Sequence, residues 1–311
     1  MKQASWMLLG AVFLWGLTVV PVKWAMETLH PFSLMCMRLL TAGFILFFFA
    51  KRNAKARRHA GAQQEGLIIP WKRMAMLSFT GVAGYFLCNF SGMSLTSGVH
   101  ASMIAAMLPL FTLSLAALYL KERVTISQWL GLLIGMAGVL MITLQSQSKA
   151  SFSVLGDLLV LAGEFVFAIY VIQQKRPAGE EKMQSEWFTC LTLLIGGIMV
   201  IPFALAEVWM YGPPVFNGKT FACFLFLTLG CTVCAYSLWN QALKTVSAAR
   251  AGIYLNATPL INVATAILFL HEPLTAMTVL GGFLVLIGVA WAERNKQRNS
   301  PAEPFLESKS L

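Results

Sequence analysis

The chain contains one motif twice: Leu120-Lys121-Glu122-Arg123-Val124-Thr125 and, 150 residues later, Leu270-His271-Glu272-Pro273-Leu274-Thr275. The same offset relates Pro109 to Pro259 and Gly131 to Gly281. Offsets of 151 and 152 continue the correspondence towards the N-terminus, in the pairs Tyr85 and Tyr236, Asn89 and Asn240, and Lys23 and Lys175. A fixed period of this kind is typical of a duplicated architecture. The sequence therefore predicts two copies of one unit, residues 1–146 and 147–293, followed by a tail, residues 294–311.

The composition predicts that both copies lie in a membrane. Hydrophobic residues make up 58% of the 311 residues, charged residues make up 12%, and the mean hydropathy is +0.70. Each membrane-spanning helix needs roughly 20 apolar residues. The apolar stretches predict ten transmembrane helices, spans 1 to 10, at residues 5–26, 31–50, 73–93, 99–120, 127–146, 153–174, 185–208, 220–243, 247–271 and 274–292. The expected fold class is an all-α polytopic membrane protein with five helices in each repeat.

The basic residues predict how these helices are oriented. Placing the N-terminus in the cytoplasm puts 19 of the 23 Lys and Arg residues on the cytoplasmic side, where short basic loops stay. We expect a multi-pass protein of the inner (plasma) membrane with both termini cytoplasmic. The net charge of +10 lies between apolar stretches and forms no basic amphipathic face, so a nucleic-acid partner is not expected.

An odd number of spans in each copy has a topological consequence. The second copy enters the membrane from the opposite side, so the copies are predicted to be inverted repeats. Inverted repeats are typical of transporters that bind a solute near the membrane midplane and work by alternating access.

The sequence resembles EamA-type members of the drug/metabolite transporter superfamily over roughly residues 5–292. The resemblance lies in Trp15-Gly16, Lys23, Arg38, Pro109, Leu120-x-Glu122-Arg123-x-Thr125, Gly131, Arg250, Pro259, Glu272-Pro273-Leu274-Thr275 and Gly281. It implies ten helices, cytoplasmic termini and a central cavity, and bacterial members include exporters of amino acids and other metabolites. The sequence departs from the family at Leu17, where a small polar residue often follows Trp-Gly.

Charged residues within the predicted spans are candidate functional groups, because a charge at the bilayer centre costs about 2.5–3.5 kcal/mol on insertion scales. Glu164 lies roughly 16 Å into span 6 at about 1.5 Å per residue. It either binds a proton or a substrate ammonium group, or is a protonated residue bonded to a neighbouring helix. Arg38 and the shallower Lys23 either extend to the headgroups, or bind a substrate carboxylate or form an outer gate. Glu122 and Glu272 are expected to be structural, capping or pairing where spans 4 and 9 end.

Further candidates are prolines and polar residues inside the spans. Pro109 and Pro259 are expected to kink spans 4 and 9, as hinges or as static bends. Span 9 carries a polar face, which either lines the cavity or bonds to other helices. The predicted cavity and gating residues are Trp15, Thr18, Arg38, Tyr85, Asn89, Pro109, Glu164, Tyr236, Asn240, Tyr254, Thr258, Pro259 and Asn262.

Together these patterns predict a secondary transporter, an exporter or facilitator, of small metabolites such as amino acids or their derivatives. No P-loop that would couple ATP is present, and protons are a candidate coupling ion. A flippase for lipids or lipid-linked sugars would share the architecture but have a lateral opening between helices. An enzyme is not expected, because the four histidines are scattered, and neither is a metal or a cofactor. The predicted partners are a small-molecule solute and membrane lipids, and the oligomeric state stays open.

Overall fold

A computed structural model of the chain describes residues 2–59, 71–121, 125–145, 153–175, 185–242, 254, 257–272 and 274–299. Every regular element in these ranges is helical. The α-helices are α1 Lys2–Gly16, α2 Val19–Ala25, α3 Pro31–His59, α4 Trp71–Ser78, α5 Gly84–Leu95, α6 Gly98–Ala105, α7 Leu108–Tyr119, α8 Ile126–Gln145, α9 Val154–Lys175, α10 Ser185–Tyr211, α11 Gly218–Leu225, α12 Ala235–Ala242, α13 Ala257–Leu270 and α14 Ala276–Asn299.

Within the described ranges, seven helical stretches are long and apolar enough to cross a membrane. They are Gln3–Ala25, Pro31–Ala54, Trp71–Leu95, Gly98–Tyr119, Val154–Gln173, Trp187–Tyr211 and Gly218–Trp239. Three shorter apolar helices, Ile126–Ile142, Ala257–Leu270 and Ala276–Trp291, lie in the predicted spans 5, 9 and 10. The multi-pass membrane fold is thereby confirmed, whereas the count of ten crossings stays a prediction.

Span 1 is interrupted, although hydropathy predicts one continuous stretch. Helix α1 ends at Gly16, a turn follows at Leu17 and Thr18, and α2 begins at Val19. Pro21 explains the break, because it has no N–H to donate to the Leu17 carbonyl and its ring clashes with that carbonyl in a continuous helix. Span 4 is divided in the same way between α6 and α7, where Pro109 is the second residue of the new helix.

Spans 3 and 8 each contain a π-helical segment at corresponding positions of the two repeats. The first is Phe79–Ala83, between α4 and α5, and the second is Phe226–Cys234, between α11 and α12. π-Helical turns are rare and are frequent at functional sites. The second segment contributes directly to the candidate site.

The packing of the helices follows the duplication. Helix α3 packs against α10 and α8 against α14, so in both cases a helix contacts its own counterpart, and α6 in span 4 packs against α13 in span 9. Other contacts are equivalent by the repeat. Helix α9 packs on α5 and α7, and its counterpart α1 packs on their counterparts α12 and α13. Lys121 and His271, which correspond in the motif, share a left-handed backbone conformation with φ of 53° and 51°. The described helices thus form a two-repeat bundle.

Two close glycine contacts join α8 to α14. A Cβ on Gly138 would clash with the backbone at Gly281, and a Cβ on Gly288 would clash with the backbone at Gly131. Small residues of this kind allow helix backbones to approach closely in a membrane. Since Gly131 corresponds to Gly281 and Gly138 to Gly288, the two contacts are equivalent by the repeat.

Candidate functional site

Arg38 on α3 is buried inside the bundle with only 5% of its surface exposed. Its Nε donates a hydrogen bond of 2.9 Å to Thr232 Oγ1, and its guanidinium carbon lies 5.7 Å from the centre of the Phe86 ring. The side chain therefore does not extend to the headgroups, which was one of its two predicted roles. Thr232 belongs to the π-helical segment, and its hydroxyl also donates to the carbonyl of Leu227, five residues earlier.

Two tyrosines that correspond in the repeats, Tyr85 and Tyr236, belong to the surroundings of Arg38. Tyr85 packs against Phe86, the ring that lies against the Arg38 guanidinium, and Tyr236 follows four residues after Thr232, the hydrogen-bond partner of Arg38. Each tyrosine packs against an aromatic residue from the helix beside it: Tyr236 against Trp15 at a centroid distance of 5.4 Å, and Tyr85 against Phe167 at 4.9 Å. Trp15 and Phe167 are themselves related by the offset of 152 residues. Arg38 therefore lies where equivalent surfaces of the two repeats meet.

Glu164 on α9 faces the protein interior and not the lipid. It is 3% exposed, and its Oε1 accepts a hydrogen bond of 3.3 Å from the Asn89 side-chain amide. Tyr85 lies one helical turn before Asn89 on α5, and its ring packs on Phe86, which lies against the Arg38 guanidinium, so α5 links the two charged residues. Six of the predicted residues are thereby joined by hydrogen bonds and ring contacts, directly or by way of Phe86 and the π-helical segment, and we name them the central cluster: Trp15, Arg38, Tyr85, Asn89, Glu164 and Tyr236.

The central cluster contains a guanidinium with unused hydrogen-bonding capacity. Arg38 Nη1 is buried, and it has no hydrogen-bond partner in the described part of the chain. Among those same residues no carboxylate lies within ion-pair distance of Arg38. Buried charges in proteins are normally paired, and a guanidinium is well suited to a carboxylate or phosphate. A carboxylate or a phosphate is the chemical group that would match this unpaired donor.

Thr18 and Trp15 hold the break in span 1 against the π-helical segment. The Trp15 indole Nε1 donates a hydrogen bond of 3.0 Å to the Cys231 carbonyl, and the Cys231 thiol donates one of 3.1 Å to the Leu14 carbonyl. The Thr18 side chain lies beside the same thiol. Cys231 is thus fully buried next to the central cluster, and it forms no disulfide.

The structure does not bring every predicted residue into the cluster. Thr258 and Asn262 on α13 each have a buried side-chain oxygen with no partner in the described ranges, and no contact there joins them to Arg38 or Glu164. Tyr254 packs with Trp239 against α1. Their role in the cavity stays a prediction.

The two prolines lie in the first turns of described helices, and the residues directly before α13 lie outside the described ranges. Pro109 is the second residue of α7 and Pro259 is the third residue of α13. The side chain of Asn240 and the whole of Glu122 lie outside the described residues.

A second buried set of polar residues was not predicted as a group. It consists of Lys23, Thr96, His100, Asp157, Glu272 and Thr278, which we name the cross-repeat network. Asp157 and His100 were missed because neither lies deep within a predicted span. The signal that existed was chemical, since both are ionisable residues at the ends of apolar helices. Glu272 is a helix cap, as expected of it, but it caps α6 of the other repeat and not the next helix in the chain.

An apolar cavity of about 290 Å³ lies apart from the central cluster, between spans 1, 8 and 9. Its lining residues are Leu17, Val20, Pro21, Trp24, Ala222, Cys223, Phe226, Thr265 and Phe269. Phe226 and Phe269 are exposed on the outside of the bundle, so this cavity is reached from the side. Where the structure describes the chain, no three His, Cys, Asp or Glu residues are grouped so that they could hold a metal ion.

Comparisons with known proteins agree with the helical two-repeat architecture. The model of the EamA-like transporter family matches the chain twice, at residues 2–144 and 154–293. An uncharacterised transporter of Archaeoglobus fulgidus is 25% identical over 294 residues, which are 93% of this chain and 97% of that protein. A probable amino-acid metabolite efflux pump of Escherichia coli is 25% identical over 286 residues, covering 89% of this chain and 90% of the pump.

A solved structure supports the fold alone. It is described only as the crystal structure of a protein, shares 20% sequence identity, covers 96% of this chain and 99% of its own, and superposes with a TM-score of 0.63. The family matches are more specific, because they cover both repeats and nearly the whole length of the chain. The resemblance seen in the sequence motifs is thereby confirmed, and this multi-pass membrane protein belongs to the EamA-like transporter family.

Proposed function

We propose that the chain is a secondary transporter that moves small metabolites carrying a carboxylate, such as amino acids or their derivatives, by alternating access around the central cluster. The observation that carries this proposal is the buried Arg38 guanidinium, whose Nη1 has no hydrogen-bond partner among the described residues. A solute carboxylate would supply the missing partner through a charge-assisted hydrogen bond.

The other members of the central cluster suit the rest of such a solute. Within the described part of the chain, Glu164 accepts one long hydrogen bond, from Asn89, and its carboxyl group can receive a solute ammonium group or a proton. The rings of Trp15, Tyr85 and Tyr236 offer apolar surface between the two charged ends. The E. coli relative named as a probable amino-acid metabolite efflux pump supports the same class of solute.

The proposed cycle uses the repeats as two bodies that rock against each other. Ten crossings, five in residues 1–146 and five in 147–293, would make the repeats inverted and place both termini in the cytoplasm, with the tail 294–311 there as well. The distribution of basic residues supports an inner-membrane location, and the relative named as an efflux pump supports export as the direction.

The experiment is counterflow of labelled solutes into proteoliposomes. Amino acids are compared with their amides and with the corresponding decarboxylated amines, which differ from them at the carboxylate. Nucleosides and organic cations test further solute classes. We expect uptake of at least one amino acid and at least tenfold slower uptake of its amide and amine. Equal rates for the acid, the amide and the amine would contradict the assignment of Arg38, and uptake of no compound would contradict the transporter proposal itself.

The lateral apolar cavity favours a second candidate, a flippase for lipids or lipid-linked sugars. Its lining between spans 1, 8 and 9 is apolar apart from Thr265, and Phe226 and Phe269 face outwards from it, so an acyl chain could enter from the bilayer. Liposomes that carry a fluorescent phospholipid distinguish the two candidates. Protein-dependent movement of the lipid between leaflets, without amino-acid counterflow, would select the flippase.

A further inference from the structure

The cross-repeat network lies at one end of the bundle and joins the two repeats. Lys23, Thr96 and His100 belong to the first repeat, whereas Asp157, Glu272 and Thr278 belong to the second. Four of the six residues are at most 2% exposed: Thr96, His100, Asp157 and Thr278. These polar groups therefore interact where water does not screen them.

Asp157 is the centre of the network. The Thr96 hydroxyl donates a hydrogen bond to Asp157 Oδ1, and His100 Nδ1 lies 3.3 Å from Asp157 Oδ2. Lys23 Nζ donates to the Thr96 carbonyl, so a cation from α2 is connected to the same carboxylate through one residue. One side chain of the second repeat thereby holds the segment that connects α5 to α6 in the first repeat.

Glu272 and Thr278 hold the same segment from α13 and α14. The two carboxylate oxygens of Glu272 accept hydrogen bonds of 2.7 Å from the backbone N–H groups of Gly98 and Val99, at the N-terminus of α6. Thr278 Oγ1 lies 3.4 Å from His100 Nε2. A carboxylate at a helix N-terminus also interacts favourably with the helix dipole.

This end of the molecule has a second bridge between repeats, which provides a contrast. Lys219 and Glu27 form an ion pair of 2.7 Å, but their side chains are 45% and 51% exposed. Exposed ion pairs contribute little, because water competes for both charges. If the repeats separate at this end, the contacts of the buried network must break, as must the hydrogen bonds from the Phe32 and Ser33 N–H groups to Glu207.

We propose that the cross-repeat network is the gate that closes this end of the transport pathway, with Asp157 as the residue on which its closure depends. Asp157, Glu272 and Thr278 hold the start of α6 against the second repeat, and opening separates these three residues from it. The inference rests on the proposed rocking of the repeats, but its test requires no knowledge of the solute.

The native Cys231 is a reporter for the opening of this gate. It is fully buried beside the central cluster, and its thiol donates to the Leu14 carbonyl. The test protein keeps Cys231 and replaces the other five cysteines, Cys36, Cys88, Cys190, Cys223 and Cys234, with alanine. The measured quantity is the rate at which a charged, membrane-impermeant methanethiosulfonate reagent modifies Cys231 in proteoliposomes.

The gate variants are Asp157→Asn, Glu272→Gln and Thr278→Val, and the matched control is Glu27→Gln in the exposed ion pair. We expect Asp157→Asn to accelerate modification at least tenfold, and the other two gate variants at least threefold. Glu27→Gln should stay within twofold of the parent. A separate protein with Lys219→Cys as its only cysteine identifies which side of the membrane this end faces, so that the reagent is added there.

Two outcomes would overturn the gate. The first is that Cys231 is modified at a rate within twofold of the parent protein in every gate variant whose unfolding temperature equals that of the parent. The second is an equal acceleration in Glu27→Gln. If Asp157→Asn does not fold, Glu272→Gln and Thr278→Val decide by the same criterion. Faster modification in a protein that moves no solute would support the gate while contradicting the proposed function.

Discussion

The two sides of the central cluster are equivalent by the repeat, but they differ in chemistry. On one side α9 is continuous, and it presents Phe167 to Tyr85 and Glu164 to Asn89. On the other side α1 ends at Gly16, and Trp15 packs on Tyr236. At the offset of 152 residues, the position of Glu164 corresponds to Val12, so the acidic group occurs on one side alone.

Arg38 is unique in the same way. Cys36 donates to the Gly197 carbonyl and Cys190 to the Gly43 carbonyl, which relates α3 to α10 by an offset of 154 residues. The counterpart of Arg38 is then Thr192, whose hydroxyl donates to the Phe188 carbonyl in its own helix. The duplication thus supplies a symmetric scaffold, whereas the charged groups occur once each and give the site a direction.

The largest effect should come from removing the charge that has no counterpart. Arg38→Gln should lower the transport efficiency for a carboxylate solute roughly 10- to 100-fold, because a hydrogen bond to a charged group contributes about 1.5–3 kcal/mol. Initial rates in proteoliposomes measure this change. The matched variant Thr192→Val should change the rate less than threefold, and comparable losses in both variants would mean that the scaffold and not the charge is responsible.

Glu164→Gln tests the acidic side of the comparison. If Glu164 carries the coupling proton, the stimulation of transport by a pH gradient should fall at least about tenfold in the variant. A positioned proton-transfer group typically contributes about 10²- to 10⁴-fold. The measurement is the initial transport rate with and without the pH gradient. An unchanged dependence on the gradient would contradict a role of Glu164 in proton coupling.

A control is provided by Glu207, a buried carboxylate with complete hydrogen bonding. It accepts from the Phe32 and Ser33 backbone N–H groups at 3.0 and 2.8 Å and caps α3. Glu207→Gln should therefore lower the free energy of unfolding by about 1–3 kcal/mol and leave the dependence on the gradient intact.

The aromatic pairs predict a smaller difference between the two sides. Trp15→Phe keeps a ring against Tyr236 but loses the hydrogen bond to the Cys231 carbonyl, so transport should fall about two- to tenfold. Phe167→Tyr, on the equivalent position, breaks no hydrogen bond and should change the rate less than twofold. A larger loss of transport in Phe167→Tyr than in Trp15→Phe, measured in the same initial-rate assay, would contradict this prediction.

The smallest effect is expected where the two repeats are alike. Cys36→Ala and Cys190→Ala each remove one weak thiol contact from equivalent positions, so each should destabilise the protein by about 1 kcal/mol. Thermal unfolding in detergent should give values that agree within about 0.5 kcal/mol. A larger discrepancy would show that the equivalence of α3 and α10 does not extend to their energetics.

Much of this arrangement follows from sequence because its signals are local or repeated. Apolar length positions the helices, the 150-residue period pairs them, and Arg38 and Glu164 are recognisable because a charge within a span requires a partner. The break before Val19 is also encoded locally, by Pro21, but average hydropathy does not register a missing N–H.

The remaining features depend on contacts between distant segments. Asp157 and His100 are 57 residues apart and belong to different repeats, and Arg38 meets Thr232 across 194 residues. The π-helical segments could not be predicted either, because their backbone register is fixed by packing and not by a residue preference. Only the assembled bundle reveals these partners.

The glycine contacts between α8 and α14 suggest how the two halves have diverged. Gly131 touches Gly288, and Gly138 touches Gly281, so a larger side chain in either copy would disturb an interface that both copies build. Each half therefore limits the side chains that the other can carry, and all four positions are glycine. The positions that face the proposed solute carry no such mutual constraint, and there Glu164 and Val12, or Arg38 and Thr192, have become different. Duplication has in this way left one copy free to acquire chemistry that the other copy never needed.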